Sequence, residues 1–275
     1  MVYIRYGGRL GNILFQYTFA RLLCKFSNSQ LSADYEILTK TKRNSYDGIL
    51  KFEEHHLIQD FNSVNLKDCY VINQNPFARS VCLNFEELVE IAKTRDVFLN
   101  NCHPQNANFF VPHKKWIKEN IKIKEGDYKK TEDLVCQVRI GDYFTSRFEK
   151  VFSYPLSCIP NLLQNIDYKN LTVITDSPDF PEFLKLMENY RYEMIHETPL
   201  YDLRTAINAK RLVVTPSTFC WWAAFLGEAE EIFFPIKMGP WKPNSEYLTQ
   251  YHPLTLIKPG IKYFYRSGTI VNSLY

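Results

Sequence analysis

The sequence predicts an α/β protein built on parallel sheets. Short strands that are apolar on both faces alternate with helices through the second half of the chain, and a parallel sheet covered by helices has that pattern. The same alternation, less regular, runs through the first half. Hydrophobic residues make up 45% and charged residues 23% of the chain, which excludes a disordered, collagenous or coiled-coil protein.

In chain order, residues 2–6 read as a strand. A Gly-rich turn follows, then an amphipathic helix over 12–26. Residues 27–66 are polar and poorly patterned, as in an excursion over a sheet. Residues 67–72 read as a strand, 84–94 as a helix and 96–99 as a strand. The stretch 122–133 is charged and lacks large aliphatics after Ile123, so it is taken as an interdomain segment. Residues 134–140 (LVCQVRI) form an apolar, β-branched strand. A helix over 155–166 carries Pro160 inside it, so its regular part is expected to start there. Residues 171–175 (LTVIT) are a buried strand, and 180–190 a helix opened by Pro181. A weak strand over 192–195 precedes a helix over 201–210, with Asp202 near its N-terminus, where negative charge is favourable. Residues 211–214 read as a strand and 218–226 as a helix, with Gly227 placed to end it. Residues 231–235 (EIFFP) are read as the final strand, and the Pro-containing tail as a segment wrapping back over the body.

The 275 residues suffice for one large or two modest domains. The net charge of +3 is too small, without basic clustering, to indicate nucleic acid. No apolar run of about 18 residues predicts a membrane span. The N-terminus shows no charged-then-apolar targeting layout. The seven Cys are odd in number and widely spaced, with no C-x-x-C. They read as buried small hydrophobes in a reducing, cytoplasmic compartment. A secreted protein whose targeting segment was removed is the alternative. The six His show no ligand spacing.

Three segments can carry chemistry. Gly7-Gly8-Arg9-Leu10-Gly11-Asn12 lies between a strand and a helix. It is either a tight turn that needs positive φ or a loop that lets backbone approach an anion at the helix N-terminus. Gln137-Val138-Arg139-Ile140-Gly141-Asp142-Tyr143 leaves the carboxyl end of a strand, where open parallel sheets bind ligands. There Arg139 either pairs structurally with Asp142 or grips a diphosphate through parallel N–H bonds. In Thr215-Pro216-Ser217-Thr218-Phe219-Cys220-Trp221-Trp222, Ser217 or Thr218 either caps the helix or presents hydroxyls and N–H groups to a phosphate. The two Trp read as core. Thr175-Asp176-Ser177-Pro178-Asp179 ends a strand with two carboxylates, as a capped turn or a divalent-metal site.

Together these segments resemble the α-1,2-fucosyltransferase family. GGRLGNILFQYTFA is similar to its G-G-L-G-N-Q-x-F-Q-Y-A motif, QVRIGDY to H-x-R-R-G-D-Y, and TPSTFCWWAAFLG to N-S-S-F-S-W-W-A-A-W-L. VITDSPDF sits where the family has its S-D-D segment. The resemblance implies an α/β fold of two facing Rossmann-like domains (GT-B type) with the donor site in the cleft. Residues 1–125 would be the acceptor-side domain and 126–275 the nucleotide-sugar-binding domain. It implies inverting transfer of fucose from GDP-fucose to a glycan hydroxyl, with an α-1,2 linkage, no metal and no other cofactor. Arg139 would neutralise the β-phosphate. Ser217, Thr218 and Phe219 would cradle the diphosphate, and Gly11 and Asn12 would reach the donor. Asp202 would accept guanine N–H groups, with Asp176 the competing nucleoside contact. Asp142 and Glu149 are the candidate general bases. The family His and second Arg are Gln137 and Ile140 here. The alternatives are a transferase of the same fold using another nucleotide sugar, and a non-catalytic glycan- or nucleotide-binding relative.

Overall fold

A computed structural model describes residues 1–34, 56–58, 65–73, 84–121, 123, 125–145, 154–235, 261–264 and 267–271. The chain divides into two compact units, Met1–Glu125 and Gly126–Tyr275.

The first unit is built on β1 (Val2–Arg5), β2 (Leu31–Asp34), β3 (His56–Ile58), β4 (Tyr70–Asn73) and β5 (Val97–Asn100), in the order β3-β2-β1-β5-β4. Every pairing is parallel. Its helices are α1 (Leu10–Ser27), α2 (Phe85–Thr94) and α3 (Lys114–Asn120). Helix α1 buries 14 of its 18 residues, far more than an amphipathic surface helix would. Its Phe15 and Phe19 rings meet Phe110 and Phe109, each at 5.3 Å, and Phe19 meets Phe85 of α2 at 5.5 Å. Asn84 caps α2 by accepting from Glu87 N at 3.2 Å. Strands β2 and β3 fall within the stretch 27–66, which was read as an excursion. Strand β4 starts at Tyr70, three residues later than the pattern predicts, because Lys67 and Asp68 form a turn.

The second unit holds β6 (Leu134–Val138), β7 (Leu171–Thr175), β8 (Glu193–Ile195), β9 (Arg211–Val214), β10 (Glu231–Pro235), β11 (Ile261–Phe264) and β12 (Ile270–Val271). Their order is β12-β11-β10-β9-β6-β7-β8. All pairings are parallel except β11–β12. The helices are α4 (Gly141–Thr145), α5 (Cys158–Leu163), α6 (Pro181–Met187), α7 (Pro199–Ile207) and α8 (Thr218–Leu226).

Several boundaries correct the sequence reading. Strand β10 is not the last, because part of the tail adds β11 beside it in parallel. Pro160 sits at the third position of α5, within the first turn, where no N–H is required. Helix α7 starts two residues early, with Thr198 accepting from Tyr201 N and Pro199 at its first position. Gly227 ends α8 with extended backbone at φ −68°, not a left-handed turn. Its smallness is what counts, since a Cβ there would lie 2.7 Å from Ala223 O and 2.9 Å from Ile207 O.

Side chains of Leu134, Cys136 and Val138 enter a cluster with α5, α6 and Val213. The alternate residues, including Gln137, therefore face the opposite layer, where α7 packs on α8 and α8 on β9. Trp221 and Trp222 are fully buried, with Trp221 stacked on Phe225 at 4.7 Å. Six Cys are buried and free, and Cys82 lies outside the described residues.

In each unit the strand order reverses beside the first strand. Unit one runs β1-β2-β3 in one direction and places β5 on the other side of β1. Unit two runs β6-β7-β8 one way and β9-β10-β11 the other. Adjacent loops at such a reversal leave in opposite directions and open a crevice at the carboxyl ends. The Gly7–Asn12 loop leaves one reversal, and Arg139 and Thr215 leave the other.

Trp221→Ala should lower the unfolding free energy by roughly 3–5 kcal/mol. Leu184→Ala, at a residue 39% exposed, should change it by less than about 1 kcal/mol. Urea titrations of the two variants check the contrast.

Candidate functional site

At the reversal of the second sheet, strand β6 stops at Val138. The Arg139 N–H leaves the ladder and donates to Thr215 Oγ1 at 2.9 Å, and that hydroxyl donates to Gln137 O at 3.1 Å. One side chain thus ties the turn after β6 to the turn between β9 and α8. Tyr154 OH donates to Arg139 O at 3.0 Å. The backbone of Arg139 is thus fixed on both sides.

The guanidinium is held by two carboxylates. Nη2 donates to Asp142 Oδ1 at 2.5 Å, and Nη1 pairs with Asp176 Oδ2. Burial opposes its charge, but Asp176, Tyr143 and Asp142 outweigh that and hold its pKa above the ordinary arginine value. Asp176 Oδ1 also accepts from Ile140 N at 2.8 Å, and Ser177 Oγ accepts from Gly141 N at 3.1 Å. Gly141 makes this possible. Its φ is +23°, and a Cβ there would lie 2.2 Å from Asp176 Oδ2. The Asp176–Ser177 turn therefore acts as a backbone clamp on the Arg139 segment.

Ser217 is the N-cap of α8, accepting from Phe219 N at 3.2 Å, and is 6% exposed. Thr218 and Phe219 open the helix and are partly exposed. Cys220 lies behind them, its thiol pushed up to about 11 by burial, so it is no nucleophile at neutral pH.

Asp202 lies in the first turn of α7, buried, accepting from Glu197 N at 3.2 Å. Burial pushes its carboxyl up to about 6, against the opposing pull of that N–H and of His196. His196 Nδ1 donates to Thr175 O at 2.9 Å, which binds the segment after β8 to the end of β7.

The structure thus brings Arg139, Asp142 and Asp176 into direct contact and ties them through Thr215 to the turn that carries Ser217. Asp202 is coupled electrostatically to Asp176. Gly11 and Asn12 belong to the first unit, where α1 starts at Leu10 without a side-chain cap. There Gln16 accepts from Gly7 N at 2.9 Å and donates to Gly7 O at 3.0 Å. Glu149 lies outside the described residues. Ile140 is fully buried in the α5–α6 cluster, so a second arginine there would point into the core. Gln137 is 3% exposed, and neither atom of its amide has a partner among the described residues. Thr215, Tyr154 and Ser177 were not singled out from the sequence as acting on Arg139. Their partners lie 15 to 76 positions away.

No protein-family model matches the chain, and no curated protein matches it. Solved structures do. Fucosyltransferase NodZ from Bradyrhizobium superposes with a TM-score of 0.54 at 12% identity, covering 84% of this chain and 94% of that one. NodZ α-1,6-fucosyltransferase soaked with GDP-fucose gives 0.54 and 12%, covering 84% and 93%. A mutant of Arabidopsis thaliana FUT1 in complex with GDP gives 0.52 at 14% identity, covering 85% of this chain and 70% of that one. The chain therefore has a mixed α/β fold with parallel sheets like that of these fucosyltransferases.

Gly141→Ala should destabilise the protein by roughly 1–3 kcal/mol. Combining it with Asp176→Ala should cost less than the sum of the two, because the carboxylate that blocks the new methyl is gone. Denaturant titration of the four-member cycle checks this. The raised pKa of Asp202 means that the folded state holds its proton while the unfolded chain releases it, so this group lowers stability as pH rises from about 4 through 6. Asp202→Asn should therefore stabilise the fold by roughly 1–3 kcal/mol at pH 7, with the gain vanishing near pH 4. Thermal melts across that range test the sign.

Proposed function

We propose that the protein is an inverting glycosyltransferase that moves L-fucose from GDP-fucose to a glycan hydroxyl, forming an α-1,2 linkage. The observation that carries this reading is the Arg139 guanidinium, held at the carboxyl edge of β6 and linked through Thr215 to the Ser217-capped start of α8. The fold shared with fucosyltransferases supports it, as do the three motifs. In this reading residues 126–275 bind the nucleotide sugar and residues 1–125 serve the acceptor.

As the sugar–phosphate bond breaks, negative charge grows on the leaving diphosphate. Arg139 and the N–H groups at Ser217 and Thr218 stabilise that charge, the Phe219 N–H being engaged by the Ser217 hydroxyl, and preorganised donors of this kind act without having to reorient. An arginine has five N–H donors. Asp142 and Asp176 engage one nitrogen each, so N–H groups remain for the phosphate. The pairing of Asp142 with Arg139 supports an orienting part for this carboxylate over that of a general base. The sugar becomes oxocarbenium-like, and the acceptor hydroxyl attacks the opposite face. Asp202, whose carboxyl already accepts from Glu197 N, accepts the guanine N–H groups. Gly11 and Asn12 contact the donor.

Arg139→Ala should lower fucosyl transfer by about 10²–10³-fold, the cost of one transition-state donor, while circular dichroism stays unchanged. A thermal-shift panel of GDP, UDP and CDP accompanies the assay, since a bound ligand stabilises by mass action. A shift with GDP that Arg139→Ala abolishes supports the reading. A shift with UDP alone moves the assignment to another nucleotide sugar, and no shift with any of them points to a non-catalytic relative.

A further inference from the structure

The loop after β1 is held by side-chain amides. Gln16 closes both backbone groups of Gly7 in a two-bond clamp. Gly7 lies so close to Asn101 that a Cβ would fall 1.7 Å from its Oδ1, and that buried oxygen has no partner among the described residues. Asn101 itself takes the left-handed region at φ 49°, which Asn tolerates better than most residues. It sits at the end of β5, its N–H donating to Arg5 O at 2.9 Å. Gly8, at φ +83°, has no Cβ to collide with Asn12 Nδ2, which would lie 2.3 Å away. Gly8 thus makes room for the amide of Asn12, and Gln105 fixes how it faces. Gln105 Nε2 donates to Asn12 Oδ1 at 3.1 Å across 93 positions of sequence.

That one bond sets the polarity of Asn12. Its oxygen is engaged by Gln105, and its NH₂, beside Gly8, remains as a pair of donors. We infer that Gln105 is a positioning residue that makes Asn12 present N–H groups to a substrate oxygen, and that this oxygen is one that gains negative charge or electron density during transfer. An amide held this way cannot take a proton, so Asn12 acts as a donor and not as a base. The inference rests on the fucosyl-transfer reading above, because it assigns a ligand contact to Asn12.

The test uses the full chain with GDP-fucose and an acceptor glycan, comparing wild type with Gln105→Ala, Gln105→Glu and Asn12→Asp. In Gln105→Glu the new carboxylate only accepts, so Asn12 must turn its NH₂ inward and its oxygen outward. The expected loss in kcat is about 10²-fold for Gln105→Glu and for Asn12→Asp, with KM for GDP-fucose within a few-fold of wild type. Gln105→Ala frees the amide to rotate and should lose only several-fold. Thermal melts report folding for each variant. Equal losses in kcat for Gln105→Ala and Gln105→Glu, or a Gln105→Glu that turns over like wild type, overturn the polarity assignment alone. A folded wild type that transfers no fucose overturns the functional reading, and this assignment falls with it.

Discussion

The guanidinium of Arg139, shared between Asp142 and Asp176, is the interaction on which the second unit's site depends. A partly buried cation costs free energy unless it is neutralised and hydrogen-bonded. Here the neutralising groups are not supplied by a neighbour on the same strand. Asp142 comes from the short helix that follows, and Asp176 from the end of the adjacent strand. Both turns must therefore be in place before the arginine can be. Among the described residues two carboxylates face this one guanidinium, so an anionic ligand there would meet a cation that is already paired. Such a ligand gains from the guanidinium only through the N–H groups that the carboxylates leave over and through the partial positive charge of the α8 terminus.

The two units solve the same placement problem with different chemistry. Each puts its loop at the reversal point of a parallel sheet, and each uses glycine to admit a side chain that would otherwise collide. In the second unit the admitted group is the Asp176 carboxylate beside Gly141, and the surroundings are charged. In the first unit the admitted groups are the amides of Asn12 and Asn101 beside Gly8 and Gly7, and the partner of Asn12 among the described residues, Gln105, is an uncharged amide. Amides both donate and accept, which suits sugar hydroxyls, whereas the guanidinium suits phosphate.

Much of this was legible in the sequence where local pattern dictates structure. LTVIT and RLVV are strands with the predicted bounds, and the Thr218–Leu226 helix follows Ser217 as its cap. Arg139 and Asp142 stand three apart, so their pairing is a local matter. What was not legible depends on distance along the chain. Nothing in VITDSPDF says that Asp176 will accept from Ile140 N 36 positions away; the segment reads equally well as a capped turn or a metal site. Gln105 lies in a stretch without periodicity, and only the pairing of β5 with β1 brings it to Asn12. Strand β11 was hidden because the tail lacks a clear alternating pattern, and its apolar residues gain meaning only beside β10.

The parallel sheet of the second unit ends in a reversal. After β11 the chain turns back through Gly268, at φ +84°, to lay two residues antiparallel along the edge. The turn is seated so closely on the C-terminal part of α5 that a methyl at Gly268 would strike Leu162 N at 2.6 Å. This short hem closes a row of backbone donors and acceptors that would otherwise recruit strands from other molecules. Truncating the chain ahead of residue 261 would lay bare the flank of β10, whose EIFFP side chains are mostly apolar. The shortened protein would then tend to precipitate during expression even though every residue of the Arg139 cluster was still present.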